Sequence, residues 1–308
     1  METETIYTLS SLYRDDLRVK AYHFGSGKKS VCVVGAMRGN EVQQIYACSL
    51  LIKELKKLEA DHQIRPGFKI TVIPCCNSAS INTETRFWPQ DDTDINRMFP
   101  GYNLGETTQR IAHGIFNEIS NYDYGIQFTS FYIPGEFATH IRMMNTGLED
   151  LDVAKSFGLP YIVVRKPRPY DTTTLNYNWQ IWDTKAYSFY TKETDIIDQP
   201  SAKNAITCIL RFLHAQHITS MDVPGGFISQ VILEEDMLSL KCEKSGFLQK
   251  LVEVEQEVKK GDLVAQILDP YENEVIEKIV SPCDGKVFFM HAKPLVYSHT
   301  AVIKIQKT

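Results

Sequence analysis

Short apolar runs alternate with amphipathic stretches between residues 30 and 218, and this alternation constrains the fold more than any other feature. Residues 30–36, SVCVVGA, are the kind of β-branched run found in strands covered on both faces. Residues 41–60 then place Ile45, Leu51 and Leu55 near helical spacing, with lysines and glutamates on the other face. A strand followed by a helix predicts that the next strand runs parallel to the first.

The same order continues along the chain. We predict further strands at 68–77, 124–130, 161–165 and 186–191, and further helices at 107–120 and 201–218. The expected fold class is therefore α/β, with a mixed and mostly parallel sheet that carries helices on both faces.

The pattern changes at residues 223–226, VPGG. From there to residue 308 the chain consists of short β runs separated by turn signals, such as Gly-Asp at 261–262 and Asp-Gly at 284–285. This predicts a small C-terminal all-β module similar to the barrel-sandwich domains that carry biotin or lipoate, without the lysine setting of those carriers. The expected domains are thus 1–222 and 223–308.

Charge and composition narrow the classes of partner. A net charge of -5 provides no broad cationic surface, so neither nucleic acid nor an anionic membrane is an expected partner. Residues 1–20 contain no apolar core of the kind that a secretory signal or a membrane span needs, and seven cysteines argue against a disulfide framework. We expect a cytoplasmic protein that binds small molecules or other proteins, and self-association into a homo-oligomer is left open.

A long polar loop at residues 74–101, PCCNSASINTETRFWPQDDTDINRMFPG, contains the most distinctive chemistry. Arg97 presents a planar guanidinium suited to bidentate capture of a carboxylate, and Asn96 offers an amide donor beside it. We therefore expect an anionic ligand. The alternative is an ion pair within the loop, between Arg97 and one of Asp91, Asp92 and Asp94.

This loop resembles the succinylglutamate desuccinylase and aspartoacylase branch of the zinc carboxypeptidase superfamily. The shared pattern comprises Asn77, Arg86 before Pro89, Asp94-x-Asn96-Arg97, and Phe99-Pro100-Gly101. The resemblance implies a zinc carboxypeptidase-like fold with a C-terminal β module, hydrolysis of N-acyl amino acids with zinc, and a substrate carboxylate held by Arg86, Asn96 and Arg97.

The chain departs from this family at the metal ligands. The family motif Gly-x-His-Gly-x-Glu reads GAMRGNE here, so Arg38 replaces a zinc-binding histidine while Glu41 is kept. Our alignment of the second histidine, in Asp-Leu-His-Thr, places Phe128 at its position. Loss of two ligands weakens zinc binding about 10⁴- to 10⁶-fold. We therefore expect no cofactor, with the Arg38 guanidinium in the metal's place and paired with Glu41.

The glutamate that acts as the general base in the family has two candidate positions in this chain. The family glutamate, in Thr-x-Glu-x-Gly, aligns with Tyr190, or with Glu193 after a shift of three residues. Residues 176–184, NYNWQIWDT, mix amides with indoles, which is typical of loops that contact ligands.

Three functions follow from these observations. The leading hypothesis is a non-catalytic relative that binds a small carboxylate, either an acyl amino acid or a peptide end. The second is an active zinc-dependent hydrolase of amide or ester bonds whose metal site is rebuilt from Glu41, Glu193 and a histidine such as His140. The third is a structural protein that binds a partner through its β module.

Overall fold

The structure is a computed structural model, and it describes residues 1–13 and 15–307. The chain forms two compact units. One comprises Met1–Ser130 and Thr139–Val231, and the other comprises Phe131–Ala138 and Ile232–Thr308. The second unit therefore includes a short internal segment that the sequence analysis assigned to the first domain.

The first unit contains the α-helices of the described residues and most strands of the nine-stranded sheet. In chain order the elements up to residue 233 are β1 (Glu2–Leu9), β2 (Leu17–Gly25), β3 (Lys29–Ala36), α1 (Val42–Ala60), β4 (Phe68–Cys75), α2 (Ser78–Asn82), α3 (Thr107–Ile119), β5 (Tyr124–Phe128), β6 (Gly135–Phe137, in the second unit), β7 (His140–Met144), α4 (Leu151–Lys155), β8 (Tyr161–Arg165), α5 (Leu175–Ile181), β9 (Lys185–Tyr190), α6 (Gln199–Ala215) and β10 (Gln230–Leu233). Short 3₁₀ turns lie at Ile95–Arg97 and Pro169–Asp171.

The sheet of the first unit is mixed, as predicted. Its strand order includes the path β1-β2-β4-β3-β5-β9-β7-β8. Strands β4, β3, β5 and β9 run parallel to one another. The pairs β1–β2, β2–β4 and β7–β9 are antiparallel, and β7 and β8 are parallel. The carboxyl ends of the four parallel strands consequently meet at one edge, which is where α/β sheets usually place their ligand sites.

Helices cover both faces of this sheet, which confirms the predicted α/β class. On one face, α1 and α6 bury residues such as Leu51 and Ile209 against Val33 and Ile126 of the central strands. On the other face, Ile111 of α3 and Trp179 of α5 belong to a second apolar cluster. Among the described residues, no helix combines the length and the apolar content needed to cross a membrane.

Parts of the first unit differ from expectation, among them the short elements α2, β7 and α4, which were not predicted. Strands β1 and β2 were not predicted, although β2 shows an alternating pattern of buried and exposed side chains. The segment expected to be a ligand loop forms α5, where Trp179 is fully buried and its indole nitrogen donates to the carbonyl of Ile119 at 2.8 Å. The amides and indoles of this segment therefore stabilise the fold.

The second unit is a sandwich of antiparallel strands, in agreement with the predicted β module. Its further elements are β11 (Met237–Lys241), β12 (Gly246–Lys250), β13 (Glu257–Val258), β14 (Leu263–Leu268), β15 (Val275–Val280), β16 (Gly285–His291), β17 (Leu295–Val296) and β18 (Ala301–Lys307). One sheet has the order β11-β18-β16-β13 and the other β15-β14-β12-β17, and a common apolar core includes Val287 and Ile303 from the first and Val264 from the second. β6 pairs with β16, which explains why its segment belongs to this unit.

Candidate functional site

Glu41 lies in the turn between the end of β3 and the start of α1, at the edge where the parallel strands end. Its Oε2 atom accepts hydrogen bonds from the backbone nitrogens of Met37 at 2.9 Å and of Arg38 at 3.1 Å. Its Oε1 atom accepts one from the hydroxyl of Ser130, which follows β5. The side chain is only 1% exposed, so this carboxylate is buried with both oxygens engaged.

Arg38 supplies the countercharge to Glu41. Its Nη1 atom lies 3.0 Å from Glu41 Oε1, and its Nε atom donates to the Asp94 carboxylate at 3.1 Å and 2.9 Å. Burial alone would lower the pKa of Arg38, but the charges of Asp94 and Glu41 outweigh that effect and raise it. The predicted pair between Arg38 and Glu41 is therefore confirmed, and it includes a second carboxylate that the sequence did not reveal.

Asp94 joins this pair to the polar loop. Its Oδ1 atom accepts from the backbone nitrogen of Asn96 at 3.0 Å, which caps the 3₁₀ turn Ile95–Arg97, and its Oδ2 atom accepts from Arg86 Nη2 at 3.2 Å. Burial acts to raise the pKa of Asp94, but the positive charges of Arg38 and Arg86 hold it below its ordinary value. One ionised carboxylate thus contacts two arginines and the turn that carries a third.

Arg97 and Asn96 have partners outside the loop. Arg97 Nη1 donates to the carbonyl of Tyr170 at 2.7 Å and lies 3.6 Å from Asp171 Oδ1, and its guanidinium is 5.4 Å from the Tyr170 ring centre. Asn96 is buried, and its Oδ1 atom accepts from the backbone nitrogen of Leu175 at 3.1 Å. The ion-pair partner of Arg97 is thus Asp171, so the alternative of a pair with Asp91, Asp92 or Asp94 is wrong.

A second cluster of arginines surrounds Tyr170. The tyrosine hydroxyl accepts from Arg165 Nη2 at 3.1 Å and from Arg168 Nη1 at 2.6 Å, and Arg165 also pairs with Asp171 at 2.9 Å. Sequence reasoning missed these residues. The run RKPRPYD at 165–171, which follows β8, contains three cations and an aromatic ring and would have pointed to them.

The site carries an excess of positive charge in an acidic protein. Its ion pairs connect four arginines, Arg38, Arg86, Arg97 and Arg165, to three carboxylates, Glu41, Asp94 and Asp171. The side chains of Arg86 and Arg97 remain 20% and 31% exposed. Burial, followed by the nearby charge of Arg38, lowers the pKa of Arg86. These two guanidinium groups can therefore still meet an anion from solvent.

The other predicted positions lie elsewhere. Phe128 is fully buried in the apolar cluster beneath α1 and α6, with its ring centre 5.3 Å from that of Phe189. Tyr190 stacks on His140 with ring centres 4.6 Å apart, and the Arg142 guanidinium lies 4.5 Å from the Tyr190 ring. Glu193 lines a surface cavity after β9. Within the part of the chain that the structure describes, the side chains that hydrogen-bond to the Glu41 carboxylate are those of Arg38 and Ser130.

These donors do not fit the zinc ion that the family resemblance implies. Within residues 1–13 and 15–307, no three His, Cys, Asp or Glu side chains gather closely enough to hold a metal, so Glu41, Glu193 and His140 form no such group. Both oxygens of Glu41 are already hydrogen-bonded. The Arg38 guanidinium, 3.0 Å from Glu41 Oε1, would also repel a divalent cation at that position.

Known proteins share the fold of this chain. The model of the succinylglutamate desuccinylase/aspartoacylase catalytic domain matches residues 27–177. A succinylglutamate desuccinylase from Silicibacter sp. TM1040 aligns with a TM-score of 0.83 and 17% identity over 97% of this chain and 91% of its own. A succinylglutamate desuccinylase/aspartoacylase from Rhodobacter sphaeroides aligns with a TM-score of 0.82 and 20% identity, over 98% and 95%.

The ectoine utilization protein EutE (DoeB) from Ruegeria pomeroyi, in a product-bound structure, aligns with a TM-score of 0.80 and 18% identity, over 95% of this chain and 90% of its own. At these identities the likeness to solved structures concerns the fold alone. No curated protein matches the chain by sequence. Residues 27–177 are therefore similar to the succinylglutamate desuccinylase/aspartoacylase catalytic domain, and the chain as a whole shares the fold of the solved structures that carry that name.

Proposed function

We propose that this chain is a non-catalytic member of the succinylglutamate desuccinylase/aspartoacylase family that binds a small carboxylate, either an acyl amino acid or a peptide end, through Arg86, Asn96 and Arg97. The observation that carries the proposal is the buried bond between the Arg38 guanidinium and Glu41. In this arrangement a side-chain cation lies against the carboxylate that the family resemblance assigns to the metal.

Hydrolysis of an amide requires a group that activates water. Both oxygens of Glu41 are already engaged, because they accept from two backbone amides, a hydroxyl and a guanidinium. Tyr190, at the aligned position of the family base, is buried in a stack with His140 and Arg142. Neither residue is placed to take a proton from water.

Binding of a carboxylate has better support. Arg86 and Arg97 are partly exposed, and charge-assisted bonds from guanidinium groups to carboxylates are among the stronger hydrogen bonds in proteins. The bond from the backbone nitrogen of Leu175 fixes the carbonyl oxygen of Asn96, so the amide group of this buried side chain is held in one orientation. The surplus of arginines over carboxylates favours an anionic ligand and accounts for a cationic site on a chain of net charge -5.

Calorimetric titration of the purified protein with N-succinylglutamate, N-acetylaspartate and an uncharged diamide analogue tests the proposal. We expect binding of at least one acid, no binding of the diamide, and loss of binding in Arg97→Ala. Arg65→Ala is a matched control, because Arg65 is an exposed arginine between α1 and β4. Absence of binding by both acids, or equal binding by Arg97→Ala, would overturn the carboxylate site.

The non-catalytic part is tested by incubating the protein with the same acids, with and without added zinc, and measuring release of the free amino acid. We expect no release above that of a Glu41→Gln variant. Turnover by the natural protein that the Glu41→Gln variant lacks would support the active hydrolase instead.

A further inference from the structure

We infer that Arg38 is the positioning residue of the anion site: its guanidinium ties Asp94, and through Asp94 both Arg86 and the turn that carries Arg97, to the start of α1. The inference rests on the proposed function for what the site binds, and it adds what holds the binding groups in place.

The first link of this connection is the anchor at Glu41. Two backbone amides of the β3–α1 turn and the Ser130 hydroxyl fix the Glu41 carboxylate from three directions. Because β3 and β5 are adjacent parallel strands in the centre of the sheet, this carboxylate is attached to the buried central strands of the first unit. Arg38 Nη1 donates to Glu41 from the same turn.

The second link is the contact between Arg38 and Asp94, which are 56 residues apart in the chain. Arg38 Nε reaches both oxygens of the Asp94 carboxylate, while Nη1 of the same planar group reaches Glu41. A guanidinium can hold two carboxylates at a fixed angle in this way, whereas a lysine ammonium is a point charge on a flexible stem. The chemistry of the link therefore requires arginine.

The third link runs from Asp94 to the ligand-binding groups. Asp94 bonds Arg86 Nη2 through one oxygen and caps the turn through the other, and its backbone carbonyl accepts from the nitrogen of Arg97 at 2.8 Å. Other bonds attach single points of the loop, such as those from the Gly39 nitrogen to the Thr85 carbonyl and from the Leu175 nitrogen to Asn96 Oδ1. Asp94 is thus the point where Arg86 and the Arg97 turn both meet a fixed neighbour.

Arg38 therefore holds two segments of the chain together as a bound metal ion could, since it is a buried cation that bonds the carboxylates of both Glu41 and Asp94. It differs in being covalently attached. We expect a chelator to change neither the hydrogen exchange of the loop nor the affinity of the site for its ligand.

Three variants test the inference: Arg38→Met, which keeps the side-chain length without the charge, Arg38→Lys, which keeps the charge without the fork, and Arg65→Met as a surface control. Hydrogen exchange of the backbone amides in residues 86–97 is measured by mass spectrometry without ligand, and the dissociation constant for N-succinylglutamate is measured by calorimetry. We expect exchange in 86–97 to be at least about tenfold faster and binding at least about tenfold weaker in Arg38→Met, with a smaller change in Arg38→Lys and none in Arg65→Met.

The two readouts separate the outcomes. If exchange is faster in Arg38→Met but neither the natural protein nor the variant binds N-succinylglutamate, the positioning role is retained and the proposed ligand is overturned. Weaker binding with unchanged exchange would mean that Arg38 acts on the ligand by charge alone, which overturns the positioning role. If Arg38→Met does not fold, the double variant Arg38→Met with Glu41→Gln removes the unpaired carboxylate beside it, and unchanged exchange in that protein would equally overturn the inference.

Discussion

The Nη1 atom of Arg38 lies 3.0 Å from Oε1 of Glu41, and the two side chains are 3% and 1% exposed. The same guanidinium bonds Asp94, so one buried cation meets two buried carboxylates. Removing the cation from such a group leaves the Glu41 carboxylate buried without its partner, in a medium that solvates charge poorly, while Asp94 keeps its contact with Arg86. The stability of the first unit should therefore depend strongly on this contact.

Arg38→Met should lower the free energy of unfolding by about 3–5 kcal/mol, because Glu41 loses the guanidinium that lies 3.0 Å from its Oε1 atom while it remains buried. Equilibrium urea denaturation gives this value. The double variant Arg38→Met with Glu41→Gln should recover part of the loss, since the glutamine carries no charge. A double variant less stable than Arg38→Met would contradict this explanation.

Asp94 should make the protein sensitive to acid. Burial raises the pKa of its carboxyl group, but Arg38 and Arg86 lower it more, so the folded value lies below the ordinary value of 3.8. The unfolded chain then binds the proton first as the pH falls. The contribution of Asp94 to stability is therefore complete above about pH 5 and is lost as the pH falls below 3.8 toward the folded pKa. Unfolding free energies between pH 2.5 and 7 should fall less steeply for Asp94→Asn, and parallel curves for the two proteins would refute this.

Metal ions should have little effect on the protein as purified. The donors around Glu41 do not fit zinc, so we expect well under one zinc per chain by elemental analysis and the same melting temperature with added zinc or with a chelator. Zinc that is only loosely associated is removed by dialysis against the chelator, after which the zinc content of the protein is measured. One zinc per chain that survives dialysis would show that the Arg38–Glu41 pair opens to admit an ion.

Gly101, the last residue of the Phe99-Pro100-Gly101 motif, should not tolerate a side chain. It has a φ of +86°, and a Cβ atom there would lie 2.1 Å from the backbone nitrogen of His113. Gly147 is a matched control, because its φ is +82° but a Cβ atom would meet nothing within 4 Å. We expect Gly147→Ala to cost about 1–2 kcal/mol from the backbone conformation alone, and Gly101→Ala to cost about 1–3 kcal/mol more from the collision. Urea denaturation of both variants tests the difference, and equal losses would contradict it.

The central strands and the long helices could be predicted because their signals are local. The run at 30–36 is apolar on both sides, and the spacing within α1 and α6 follows one helical face. β1 gave no such signal, because its side chains are mostly exposed. α5 was missed for a different reason, since it has only 7 residues and its polar amides bond to backbone groups inside the fold.

The candidate site shows the same division between local and distant contacts. The pair between Arg38 and Glu41 spans three residues and was predicted from the motif. The contacts of Asp94 with Arg38 and of Asp171 with Arg97 join segments far apart in the chain, and no local pattern specifies them. Ser130 was likewise unpredicted, because its role follows from the pairing of β5 beside β3.

The positive charge beside Glu41 belongs to a side chain, and that has a consequence for the living cell. Each chain is synthesised with this arginine, so every molecule carries the charge whatever the supply of trace elements. Starvation for transition ions, or competition from other proteins for them, would leave this centre as it was when the chain folded.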